Sequence, residues 1–132
     1  MTSVETFSGR TSAGNSHLMP VRIGVVDTGV DVEHPILSQK QLEGIGVRRE
    51  GEDYHYEPDF HDLDGHGTAI AVRIQAFCET AQIHAVRIAQ KDEGDVAVRV
   101  QEQALAMGIY WCVAKGIRIV NVSYNIAAAA EG

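Results

Sequence analysis

The chain has 132 residues, 45% of them apolar, and a formal net charge of −7. That length makes one domain or part of one. The acidic balance argues against nucleic acid or an anionic membrane as partner, and no run of apolar residues is long enough to span a bilayer.

Residues 1–19 are rich in Ser, Thr and Gly and cannot build a core alone, so they read as a flexible N-terminal arm ended by Pro20. The arm lacks the apolar centre of a secretion signal, which predicts a cytoplasmic location. Val21 to Val26 is nearly continuous in apolar residues, the pattern of a strand covered on both faces, as in a parallel sheet. Asp27 then falls at the carboxyl end of that strand, where open α/β sheets bind their ligands, and Thr28-Gly29 turns the chain. By residue type alone Asp27 could equally be a turn cap.

Residues 32–41 read as a turn region. Residues 42–48 carry Ile45 and Val47 in alternation and predict a short edge strand. From Glu50 to Asp64 there are seven acids and neither Lys nor Arg, which predicts a solvated loop. Within it, His55, Asp59 and His61 have the chemistry of metal ligands but the spacing of no named site. Gly65-His66-Gly67-Thr68 opens an apolar helix running to about Phe77, and its glycines leave the imidazole uncrowded. Gln82 to Ala89 alternates as a third strand. Lys91 to Asp95 is a polar loop, with Asp95 the expected N-cap of a helix through Val96, Val100, Ala104, Met107 and Trp111. Gly116 should end that helix, and Ile117 to Tyr124 should be a fourth strand. Cys78 and Cys112 lie in apolar helical patterns and read as buried free thiols, compatible with a reducing compartment. The order of elements indicates an α/β sheet with parallel members.

Three stretches together carry a resemblance. Asp27-Thr28-Gly29-Val30-Asp31 with His34-Pro35 resembles the aspartate box of subtilisin-like serine proteases. Asp62-Leu63-Asp64-Gly65-His66-Gly67-Thr68 resembles their histidine box, and Val120-Asn121-Val122-Ser123-Tyr124 resembles the strand lining their substrate cleft. The helix around Gly108, Ile109 and Trp111 is similar too. The resemblance covers about residues 20–125 and implies an incomplete subtilisin-like three-layer sandwich, with a mostly parallel sheet of about four strands and helices on its faces. Residues 126–132 would be a C-terminal tail.

The resemblance implies catalytic roles for Asp27, which would orient the imidazole, and His66, the general base and acid. It implies substrate-binding roles for Ser123, Tyr124 and Asn125 on a strand that pairs with an extended peptide or protein substrate. The family's nucleophile comes after the histidine in chain order, roughly 157 residues on in subtilisin itself. No Gly-Thr-Ser-Met-Ala-like box is present, and neither is a counterpart of the oxyanion-hole asparagine. Ala69 stands where the family often has histidine, Val72 where it has glycine, and Asn125 where the substrate strand has glycine. The segment between Phe77 and Gln82 is too short for the family's calcium loop, so neither metal nor cofactor is expected. Three readings stay open. The chain could be the Asp/His part of an endopeptidase whose second chain brings the serine box, a non-catalytic peptide- or protein-binding relative, or a truncated fragment of a longer protease. The first predicts that Ile117, Ile119, Val120 and Val122 form an uncovered sheet edge.

Overall fold

The computed structural model describes residues 20–123. The expected arm, the tail, Tyr124 and Asn125 lie outside them. In chain order the elements are β1 (Arg22–Asp27), β2 (Glu43–Glu50), β3 (Asp53–Glu57), α1 (His66–Phe77), β4 (Gln82–Arg87), β5 (Ala89–Gln90), β6 (Arg99–Val100), α2 (Glu102–Ala114) and β7 (Ile119–Val122). The main sheet has the order β3-β2-β4-β1-β7. Its pairings are parallel except for β3 against β2. β5 and β6 form a separate antiparallel ribbon. The architecture is mixed α/β with a mainly parallel sheet.

Alternation along the central strands sends neighbouring residues into different cores. Val26 and Val86 pack with Ala104 and Cys112 of α2, whereas Val25 and Ala85 pack with Ala71 of α1. This double covering is why Val25-Val26 of β1 and Ala85-Val86 of β4 are consecutive apolar residues rather than alternating with polar ones.

Among the described residues the main sheet has five strands rather than about four. The extra one, β3, lies in the acid-rich segment expected to be loop, and it turns the expected edge strand β2 into an interior one. Two alternating tyrosines explain it. Tyr54 packs against the α2-side core, and the Tyr56 hydroxyl donates to the Met107 carbonyl at 2.8 Å. The acids on either side of them, Asp53 and Glu57, occupy exposed and half-buried positions. Arg87, buried at the end of β4, ties this edge down. Its guanidinium donates to the Glu57 carboxylate and to the carbonyls of Val47, Asp59 and Ala89.

α2 begins at Glu102, later than expected, and Asp95 does not cap it. Asp95 instead accepts from the Asp92 amide and the Arg99 guanidinium. Val96, although at helical spacing, is almost fully exposed, and Val100 belongs to β6. The far end follows expectation. Gly116 adopts φ 77°, the Gly116 amide donates to Val113 and the Ile117 amide to Cys112, the paired bonds of a Schellman stop. Both cysteines are free, but Cys78 lies past the end of α1 and is only partly buried. No helix among the described residues is long and apolar enough to cross a membrane.

Gly108 shows packing overriding helix propensity. A glycine-to-alanine change inside a helix normally gains about 1 kcal/mol. Here the new Cβ would lie 2.7 Å from Ile88 Cγ2 and 3.1 Å from Val86 Cγ1, both methyls of fully buried residues. We expect Gly108→Ala to destabilise the fold by about 1–3 kcal/mol. A urea titration showing stabilisation instead would mean that this core is looser than described.

Candidate active site

β1 is flanked by β4 and β7, so the residue at its carboxyl end is shielded on both sides. That residue is Asp27, with a fully buried side chain. Its carbonyl accepts from the Ile88 amide at 2.9 Å. Its carboxylate Oδ1 accepts from the Thr28 amide at 2.7 Å. The other oxygen, Oδ2, is buried and has no hydrogen-bond partner among the described residues.

The chain then turns at Gly29 and meets the segment before α1. Val30 N donates to Phe60 O at 3.0 Å and Leu63 N to Thr28 O at 3.1 Å. The approach is close enough that a Cβ on Gly67 would lie 2.0 Å from the Gly29 carbonyl oxygen. Glycine is required there because α1 enters directly over the turn that follows β1.

This docking brings His66, the first residue of α1, to Asp27. Nδ1 of the imidazole lies 2.8 Å from Asp27 Oδ1. The two differ in environment, since the Asp27 side chain is 0% exposed and that of His66 41%. A carboxylate only accepts, so Nδ1 is the donor and the neutral ring keeps its lone pair on Nε2. An imidazole held this way is prepared to take a proton at Nε2 while the buried carboxylate stabilises the resulting cation.

Around the pair runs a second set of bonds. Gly65 at the N-cap of α1 has no side chain to offer the helix. Asp62 takes its place, accepting from the Asp64 and Gly65 amides, at 2.9 and 2.8 Å, and from the Thr68 amide at 2.9 Å. Asp62 also accepts from the hydroxyls of Thr28 at 2.6 Å and Thr68 at 2.5 Å. Thr28 Oγ1 accepts from the Gly67 amide at 2.9 Å, and Thr68 Oγ1 from the Asp31 amide at 2.8 Å. Burial opposes ionisation of Asp62, but the hydrogen bonds from Thr28, Thr68, Gly65 and Asp64 outweigh it and hold its carboxyl below the usual range. Reading by residue type singled out Asp27 and His66 and missed Thr28, Asp62 and Thr68. The available signal was a carboxylate three residues before a glycine that cannot cap its own helix.

Ser123 follows β7, one residue beyond the Val26–Val122 pair, and so stands at the same end of the sheet as Asp27. Its hydroxyl accepts from Asn121 Nδ2 at 2.7 Å. His55, Asp59 and His61 do not converge. His61 Nδ1 lies 3.0 Å from the Asp59 carboxylate, and His55 sits beside Glu50 on the β2–β3 hairpin. A cavity opens at the opposite end of the sheet, beside Arg22, Glu43 and His84, away from the Asp27–His66 pair. There burial, then the nearby Arg22 charge, pushes the His84 imidazole below its ordinary value.

A family model described as the subtilase family matches residues 20–131. The chain belongs to the subtilase family. The match spans every element described above, and it relates the chain to subtilisin-like serine peptidases. No curated protein sequence matches it significantly.

The depressed Asp62 carboxyl gives a pH signature in this subtilase fold. A native value below the unfolded value, ordinarily about 3.9, contributes stability that is complete above the unfolded value and is lost as pH falls through the native one. We expect Asp62→Asn to be less stable than wild type at neutral pH, with the gap closing as pH falls below about 4. Denaturation midpoints that keep a constant gap down to acid unfolding would contradict this.

Proposed function

We propose that this chain is the Asp/His-bearing part of a subtilisin-like serine endopeptidase, working with a second chain that supplies the nucleophilic serine and the oxyanion hole. The observation that carries the reading is the 2.8 Å contact between His66 Nδ1 and the buried Asp27 carboxylate. A buried carboxylate orients the imidazole it holds, stabilises the imidazolium that forms during reaction, and fixes the tautomer that removes a serine proton. In the proposed reaction His66 Nε2 takes the proton from the partner's serine as that oxygen attacks the scissile carbonyl. It then returns the proton to the leaving amine, while Asp27 stays ionised throughout.

The open edge of the sheet supports the need for a partner. Among the described residues β7 pairs only with β1. Ile119 and Val122 are exposed on it, whereas Val120 is partly buried against the α2-side core and Ile117, just before the strand, is buried, although both are expected from sequence to be uncovered. Tyr110 and Val113 are exposed on α2, which leads into β7. An edge strand presents unpaired backbone groups that can template a further strand, and on this reading the complete three-layer sandwich is assembled from two chains. Ser123, Tyr124 and Asn125 would then receive an extended peptide substrate. The same edge also favours a second reading, in which the chain binds an extended polypeptide without cleaving it. We place the protein in a reducing, cytoplasmic setting, in keeping with its free cysteines.

The test is complementation with a subtilase segment carrying the serine box. The complex should cleave peptides and react with a fluorophosphonate at the partner's serine. In subtilisin, where these losses are known, removing the histidine costs on the order of a million-fold in turnover and removing the aspartate tens of thousands-fold. We expect His66→Ala to abolish measurable cleavage and Asp27→Asn to leave a trace, with Ser123→Ala far milder. A complex that forms normally but never cleaves favours the binding reading. Wild-type cleavage by His66→Ala places the catalytic histidine elsewhere.

A further inference from the structure

We propose that Asp62 is the positioning residue of the Asp27–His66 pair, holding the imidazole on the carboxylate without touching either. The inference rests on the reading of that pair as catalytic. Asp27 and His66 belong to different elements, and one hydrogen bond between them cannot by itself hold a helix against a strand. The first turn of a helix presents amides with no internal acceptor. Here three atoms satisfy those amides: Asp62 Oδ1 takes Gly65, Asp62 Oδ2 takes Thr68, and Thr28 Oγ1 takes Gly67.

The Thr28 hydroxyl is the link. It donates to Asp62 at 2.6 Å, and it belongs to the residue following Asp27. The path from strand to helix therefore runs from Thr28 through the Asp62 carboxylate to the amides on either side of His66. Thr68 closes it from the other side, donating its hydroxyl to Asp62 and accepting from the Asp31 amide. Five donors converge on one carboxylate, which fixes the first turn of α1 in position and in rotation. His66 leads that turn, so its Nδ1 is aimed wherever the turn is held. A displacement of about 1 Å at a reacting group is enough to cost roughly a hundred-fold in rate.

The direct readout is the proton magnetic resonance of the full-length chain, which needs no partner. A proton shared between imidazole Nδ1 and a buried carboxylate resonates far downfield, and Asp27→Asn should remove it. We expect Asp62→Ala to lose or broaden this signal while unfolding remains cooperative. Thr28→Val, which removes both the strand's bond to Asp62 and the acceptor of the Gly67 amide, should do the same, and Asp62→Asn should be intermediate. A folded Asp62→Ala or Thr28→Val chain that keeps the wild-type signal overturns the proposal. Should neither variant fold, hydrogen exchange in the wild type decides: the Gly65, Gly67 and Thr68 amides must be protected, and fast exchange at them overturns it. A wild-type chain with no Asp27-dependent signal would instead sink the catalytic reading itself.

Discussion

A carboxylate at the buried end of a central parallel strand governs the rest of this structure. An ionised Asp27 with no solvent exposure requires charge-assisted donors, and they come from the Thr28 amide and the His66 imidazole. Meeting that requirement dictates the local fold. The chain must turn sharply after β1, the segment before α1 must lie along that turn, and the helix must enter so closely that only glycine fits at position 67. The two-fifths exposure of the histidine, beside a carboxylate with none, follows from the same arrangement, since the ring leads a helix that enters over the strand end. Chemistry at such a ring combines a dry electrostatic anchor with an accessible face.

The two ends of the sheet divide the work. At the carboxyl ends of the strands sit Asp27, His66 and Ser123. At the amino ends, His84 is buried beside Arg22 and near Glu43, and the cavity there carries none of the proposed catalytic groups. The Arg87–Glu57 pair serves the fold, joining β4 to the β3 edge through carbonyls and one carboxylate. On the proposed reading the remaining edge, β7, is where assembly and substrate binding meet, because it borders the strand that carries the catalytic aspartate.

Much of this was legible in the residues because a few signals are strong. A nearly continuous apolar run before Asp27, a glycine-flanked histidine before an apolar helix, and a glycine stop at 116 each point to a definite local structure, and β1, α1 and the end of α2 follow them. Where signals competed, the reading failed. Seven acids masked the alternation of Tyr54 and Tyr56, so β3 passed as a loop and β2 as an edge. Val96 and Val100 matched the helical period by coincidence, and tertiary pairing placed Val100 in a ribbon. Asp62 looked like one more solvated acid because its five donors come from four different residues, two of them beyond the loop, which only the folded chain assembles.

The account stands on His66 being held by Asp27 as a ready base. The most direct measurement is the nitrogen-15 chemical shift pair of the His66 ring in the isolated chain, with the imidazole in its neutral form. The account predicts a protonated Nδ1 and an unprotonated Nε2, the minority tautomer of free histidine. A ring protonated on Nε2, or one averaging between tautomers as in solution, would contradict it.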